Sequence, residues 1–157
     1  MQINYIIYDV RHNRDTINPQ VYPDIMVKSP ETGPNAELYW HAHMIGIFHP
    51  YVLLTHLDMQ VRTLHSMDLL WVCWFGMEPS PYYHGFCHAC LLKIGFVESL
   101  DKYAFTFLDP THVVKGAHII PAFSAGYTSA LLPVPRSVAC ILVPNEEDDW
   151  VNFYVNM

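Results

Sequence analysis

Apolar and polar positions in this chain change over short distances, and the three-to-four-residue period of an amphipathic helix is scarce. Ile3 to Val10 is apolar and β-branched with two tyrosines, which predicts a strand. Arg11-His12-Asn13-Arg14-Asp15 is polar and reads as a turn. Between Ile17 and Pro34 stand Pro19, Pro23, Pro30 and Pro34. Each proline fixes φ and removes a backbone donor, so this stretch predicts an extended meander, with Ile25-Met26-Val27 as one short edge strand. Glu37 to Leu54 is the first long strand region, and Gly46 within it predicts a bulge or a sharp bend. Leu57 to His65 fits either a helical turn or a hairpin loop. Asp68 to Phe75 is apolar on both faces, the pattern of a central strand, and Gly76-Met77-Glu78-Pro79-Ser80-Pro81 ends it. Leu91 to Val97, with Gly95 inside, predicts a third strand. Tyr103 to Leu108 predicts another, stopped by Asp109-Pro110. His112 to Pro121 reads as a turn and a final barrel strand. Ser124 to Pro135 is loop, Arg136 to Val143 is a further strand candidate, and Trp150 to Val155 is aromatic and β-branched up to the chain end.

Short strands at regular spacing, with turn residues between them, predict a mainly β domain. The expected architecture is a single, partly open SH3-like barrel with long Pro-rich connections. Residues 1–36 supply an N-terminal strand and the Pro-rich meander, residues 37–123 the barrel core, and residues 124–157 a C-terminal loop and a truncated strand. The pattern Trp150-Val151-Asn152-Phe153-Tyr154-Val155-Asn156-Met157 stops without a polar, frayed tail, so the chain reads as the interior of a longer sequence.

Composition changes this picture in three ways. Charged residues are only 15% of the 157, well under the usual quarter, so part of the surface is expected to rest against a partner or the rest of a larger protein. The formal charge is −7 and the eight Lys and Arg form no cluster, which argues against nucleic-acid binding by this chain alone. Four cysteines, Cys73, Cys87, Cys90 and Cys140, are too few for a disulfide scaffold; with no signal-peptide pattern and no apolar run of membrane-spanning length, an intracellular location is expected.

Candidate chemistry is sparse. In His84-Gly85-Phe86-Cys87-His88-Ala89-Cys90 the two cysteines have zinc-knuckle spacing, and His84 or His88 would have to join them, with Cys73 or a distant histidine completing the set. No second half of the motif follows, so ordinary loop residues are the expectation and a zinc site built on Cys87 and Cys90 is the alternative. His41, His43 and His49 stand on one strand and share a face only if Gly46 makes no bulge; polar positions on a half-exposed strand explain them otherwise. Trp40, Trp71 and Trp74 could line an aromatic cage for a methylated lysine, but Trp71 and Trp74 fall on opposite faces of a regular strand, so core packing is the expectation. The carboxylates Asp9, Asp15, Asp24, Asp68, Asp101 and Asp109 are scattered, and Asp148-Asp149 reads as a solvated loop. No nucleophile motif or Gly-rich phosphate loop is present. No catalytic residue and no cofactor are expected.

Several segments resemble, in order, the C-terminal region of fungal Plavaka-type transposases of the CACTA-like elements. They are Ile3-Asn4-Tyr5, Tyr8-Asp9-Val10-Arg11, Asp15-Thr16-Ile17-Asn18-Pro19, Asp24-Ile25-Met26-Val27, Trp40 through His49, Leu70-Trp71-Val72, Trp74-Phe75-Gly76, Ile94-Gly95-Phe96-Val97, Phe107-Leu108-Asp109-Pro110, His118 through Phe123, Asp148-Asp149-Trp150 and Tyr154-Val155-Asn156. The resemblance implies a large parent with a metal-dependent acidic nuclease core upstream, and a nuclear location. This chain would be its non-catalytic accessory or interaction part, or a decayed remnant of it, packing on that core or on a protein partner. His41 and His43 stand where the family pattern has basic or aromatic residues. Cys87-His88-Ala89-Cys90 stands in an expected basic stretch. A second, architectural likeness is to the bromo-adjacent homology domain, through the Trp40 to Phe48 strand and the Trp71-Val72-Cys73-Trp74-Phe75 strand. It implies a chromatin or protein reader as a further alternative.

Overall fold

The computed structural model describes residues 2–4, 14–34, 36–54, 63–77, 91–98, 100–128 and 149–156. Among them the strands are β1 (Gln2–Asn4), β2 (Arg14–Thr16), β3 (Asp24–Lys28), β4 (Tyr39–Phe48), β5 (Tyr51–Leu54), β6 (Thr63–Ser66) and β7 (Leu69–Met77). There follow β8 (Leu92–Phe96), β9 (Phe105–Leu108), β10 (Val113–Gly116), β11 (His118–Pro121), β12 (Tyr127–Thr128), β13 (Asp149–Trp150) and β14 (Phe153–Asn156). Among the described residues, helix is confined to two 3-10 turns, Pro110–His112 and Phe123–Ala125. The chain is mainly β, as the alternation predicts.

The main sheet runs β10–β3–β4–β7–β8–β14–β11, and β9 pairs with β7 alongside β8. Every pairing in it is antiparallel. Its two outermost strands, β10 and β11, are consecutive in the chain and separated by Ala117 alone. Across one linking residue the flanking α-carbons lie at most about 7 Å apart, so the two ends of the sheet must come together at this corner, and the sheet curls into a partly open half-barrel. The Ala117 amide donates to the Asp24 carbonyl at 2.9 Å, carrying the β10–β3 pairing up to the bend. Within this sheet β10–β3–β4–β7–β9 follow an SH3-like order, with the Pro110–His112 turn joining β9 to β10. Asp109 caps that turn by accepting from the Thr111 amide and hydroxyl.

The bulge expected near Gly46 is present. In β4 against β7 the register runs His41↔Phe75, His43↔Cys73 and Met44↔Val72, then skips Ile45 and resumes at Gly46↔Trp71. An extra residue inverts parity beyond it. Ile47 therefore packs with Ala42 and Met44. His49, past the strand end, no longer shares a face with His41 and His43.

Two cores result. The first gathers Ile17, Ile25, Val27, Ala42, Met44, Leu70, Val72, Leu108 and Val113, with Ile47 and Trp74 against them. The second gathers Phe75, Ile94, Phe153 and Val155, with Leu92, Phe96, Ile119 and Trp150. Alternate residues of β7 feed both, which is why its sequence is apolar on both faces. Burying such side chains stabilises by about 1.5–3 kcal/mol each.

Three expectations are corrected. β3 is not an edge strand, because β10 pairs with its free side from far along the chain. β7 does not break at Gly76; Gly76 and Met77 pair with Gly95 and Ile94 of β8. The run from His112 to Pro121 is two strands at opposite ends of the sheet. The sheet also draws β3 from residues 1–36 and β14 from residues 124–157. Gly95 is needed where β8 passes the segment before β14: a Cβ there would lie 2.9 Å from the Val151 carbonyl oxygen. Arg136 to Val143 lies outside the described residues.

Candidate functional site

The start of β4 and the end of β7 lie side by side, and their side chains build a cavity of about 860 Å³. Ala42 pairs with Trp74, so Trp40, two residues back in β4, emerges on the same face as Trp74. The two indoles meet at 79° with centroids 5.6 Å apart, forming a corner. Trp74 is oriented by its Nε1–H, which donates to Thr106 Oγ1 at 2.7 Å. Gly76, the next residue on that face of β7, has no side chain, and a Cβ there would meet Val97 Cγ2 at 3.5 Å. Tyr39 and Tyr103, 41% and 63% exposed, carry the cavity out to solvent.

Two loops supply its carboxylates. Glu31 and Glu37 come from the segment before β4, and Asp101 from the segment after β8. Glu31 Oε2 accepts from the Glu37 amide at 3.1 Å, and Asp101 Oδ1 from the Tyr103 amide at 2.8 Å. No Lys or Arg stands among the described lining residues, but the Lys102 ammonium lies over the ring of lining Tyr103, 4.6 Å from its centroid. His41 is also in the wall; it is 3% exposed, and its Nε2 has no hydrogen-bond partner. Burial holds its pKa below the ordinary 6.5, the nearby Lys115 ammonium adds to this, and Asp24 opposes it. The imidazole is neutral at neutral pH.

A second arrangement lies across three neighbouring strands. Asp24 of β3 pairs with His43 of β4, and His43 with Cys73 of β7. His43 Nδ1 is 2.8 Å from Asp24 Oδ1; an ionised carboxylate only accepts, so Nδ1 carries the proton. The order resembles a nucleophile, base and orienting acid. The chemistry does not follow. Cys73 is fully buried, and desolvation, with the Asp149 charge, pushes its thiol up to about 12. The thiolate that would attack a substrate is thus absent at neutral pH.

The residues singled out in the sequence separate clearly. Trp40 and Trp74 share the cavity. Trp71 points away from them and packs on Phe105 and Phe107, at 6.0 and 4.7 Å between centroids. His41 and His43 share a face, while exposed His49 pairs with Asp68 at 2.8 Å. His84, Cys87, His88 and Cys90 lie outside the described residues, as do Asp9, Cys140 and Asp148. Among the described residues no group of three or more His, Cys, Asp or Glu is placed to hold a metal ion. Among them, too, no helix is long and apolar enough to cross a membrane. The carboxylates around the cavity and the Asp24–His43 pair carry no motif, because residues far apart in the chain make them. Only the period-2 parity of Trp40 and Trp74 across a known register would have exposed the corner.

No family model, no curated protein and no solved structure matches this chain.

Proposed function

We propose that this chain is a non-catalytic binding module and that the aromatic cavity is its ligand site. The observation that carries the reading is the cavity itself: about 860 Å³, walled by aromatic and aliphatic side chains, with a few carboxylates from two loops. That size and lining suit a small ligand or a side chain of a protein partner. Both indoles in its wall are half-buried.

For the parent protein we infer a Plavaka-type transposase, of which this chain is the C-terminal accessory part or a decayed remnant. The ordered run of segments from Ile3 to Asn156 that resemble that family supports this. In such a parent the cavity would hold a segment of a partner or of the parent itself. The reader alternative gains from one feature, the shared opening of Trp40 and Trp74.

Two measurements test the reading. Incubation of the purified chain with supercoiled plasmid and a divalent metal is expected to give no nicking above a purified blank; nicking would overturn the non-catalytic assignment. Indole NMR during titration with small amines, carboxylates and neutral amides is expected to move the Trp40 and Trp74 signals and leave Trp71 and Trp150 in place. Silence of both indoles toward all three probe classes would overturn the site.

A further inference from the structure

We infer that the chain pairs with a second copy of itself, about a two-fold axis, through an aromatic face of the hairpin formed by β4 to β7, with β9 beside it. The extent of this face follows from register. Phe48 pairs with Leu69 where β4 meets β7, and Tyr51 with Ser66 where β5 meets β6. The count is unbroken across the joint, where the Met67 amide donates to the Pro50 carbonyl at 3.0 Å. Alternate residues of such a ribbon share a face. Ile47 and Leu70 turn into the first core, and His49 and Asp68 pair on that same side. Phe48, Pro50 and Val52 turn the opposite way, as do Trp71, Leu69 and Met67 on the facing line. In β9, Phe107 pairs with Trp71, and Phe105, two residues back, shares its side. The rings are in contact: Phe48 and Trp71 lie 5.9 and 4.7 Å from Phe107 between centroids. Of these residues only Phe107 also borders the cavity.

An antiparallel sheet that meets water on one face carries polar side chains there. This face carries no charge. Among the described residues of β4 to β7, Asp68 is the only Asp, Glu, Lys or Arg, and it lies on the other side. Phe48, Met67 and Phe107 are 48%, 44% and 58% exposed, and Leu69, Trp71 and Phe105 are half-buried. Further along the same face of β7, Phe75 is buried in the second core. A two-stranded ribbon alone in water is marginally stable, so β5 and β6 gain from cover.

Area and charge select a second copy as the cover. Large side chains of this kind bury about 150–250 Å² each, so the exposed parts put about 500 Å² of apolar surface on the face. Homodimer interfaces are about 65% apolar, so the full contact is about 800 Å² a copy, the ordinary size of a stable interface. A two-fold axis sets a patch against its own copy, an arrangement that like charges oppose and an uncharged face permits. Each chain carries −7, so two copies approach at least electrostatic cost through a face without charge. The ribbons then stack about 10 Å apart, as sheets do in a sandwich.

The test is sedimentation velocity on the intact chain over a wide concentration series. A reversible equilibrium between one chain and two is expected. Phe48→Lys is expected to weaken the dimer about tenfold or more, with circular dichroism unchanged. Met67→Lys, on the same face, serves should Phe48→Lys fail to fold, and is expected to act in the same direction. Leu100→Lys, at a 95% exposed position off this face, is expected to leave the dimer unchanged. Added salt is expected to tighten the dimer, because it screens the repulsion between two negative chains. The mass of one chain at every concentration would overturn the dimer and leave the face to a different protein. A dimer that both lysine variants leave intact, or that salt dissociates, would overturn the face. Growth past two copies would overturn the two-fold arrangement.

Discussion

The wall formed by β3, β4 and β7 presents two faces of opposite character. One carries Ile25, Val27, Ala42, Met44, Leu70 and Val72, all buried and all without a polar side-chain atom that needs a partner. The other carries Asp24, Met26, His41, His43, Cys73 and Phe75. The strands, the register and the backbone hydrogen bonds are common to both. The first face is held by the area it removes from water, and its energy is insensitive to pH. The second must satisfy or neutralise what it buries: His43 does so through Asp24, Cys73 by remaining a thiol, and His41 by remaining neutral. A buried polar group without a partner costs about 1–3 kcal/mol, so the second face is the less stable of the two. It is also the face whose rows are set by side-chain partners as well as by apolar fit.

Breaking the dry face should have the largest effect. Leu70→Ala removes a fully buried side chain from the first core and should lower stability by about 2–5 kcal/mol, measured by urea unfolding, with no change in pH dependence. On the polar face, Asp24→Ala strips His43 Nδ1 of its acceptor and should cost about 1–3 kcal/mol in the same measurement. A loss at Asp24 as large as that at Leu70 would erase the distinction between the faces.

His41 sharpens the comparison through pH. Its folded-state pKa is depressed, so between 6.5 and that lower value the unfolded chain binds a proton that the folded chain does not. Stability should therefore fall as pH drops below about 6.5, by at most about 1.4 kcal/mol per pH unit within that window. His41→Leu removes both the titrating group and the unpartnered Nε2. It should flatten this slope and leave stability at neutral pH unchanged or higher, read by unfolding at a series of pH values. The smallest effect is on reactivity: Cys73 should resist iodoacetamide in the native protein at about pH 8 and react only in denaturant, as followed by peptide mass mapping.

Much of the fold is legible along the chain. The two-sided apolarity of Leu69–Met77 marks the strand that serves both cores, and Gly46 marks the bulge. Asp109-Pro110 marks the stop after β9 and the capped turn before β10. The identity of the edge strands is not legible. Ile25-Met26-Val27 has the length and proline flanks of an edge, yet β10 covers it after a separation of more than eighty residues in the chain. For the candidate site, Trp40 and Trp74 can be named from the sequence, but their partnership depends on the cross-strand register. Glu31, Glu37 and Asp101 belong to loops, whose positions no periodicity encodes. The pairing of Asp24 with His43 is hidden for the same reason.

What the amino-acid order settles by itself is local: where the chain extends, where it turns, and which side chains alternate, because sterics and the period of two act between near neighbours. What only the tertiary structure decides is which distant edges pair, and hence which face of each strand becomes dry core, buried polar row or open aromatic cavity. That choice rests on contacts between residues far apart in the chain. The one-residue link at Ala117 shows it most plainly: nothing in Lys115-Gly116-Ala117-His118 announces that the two ends of the sheet meet there.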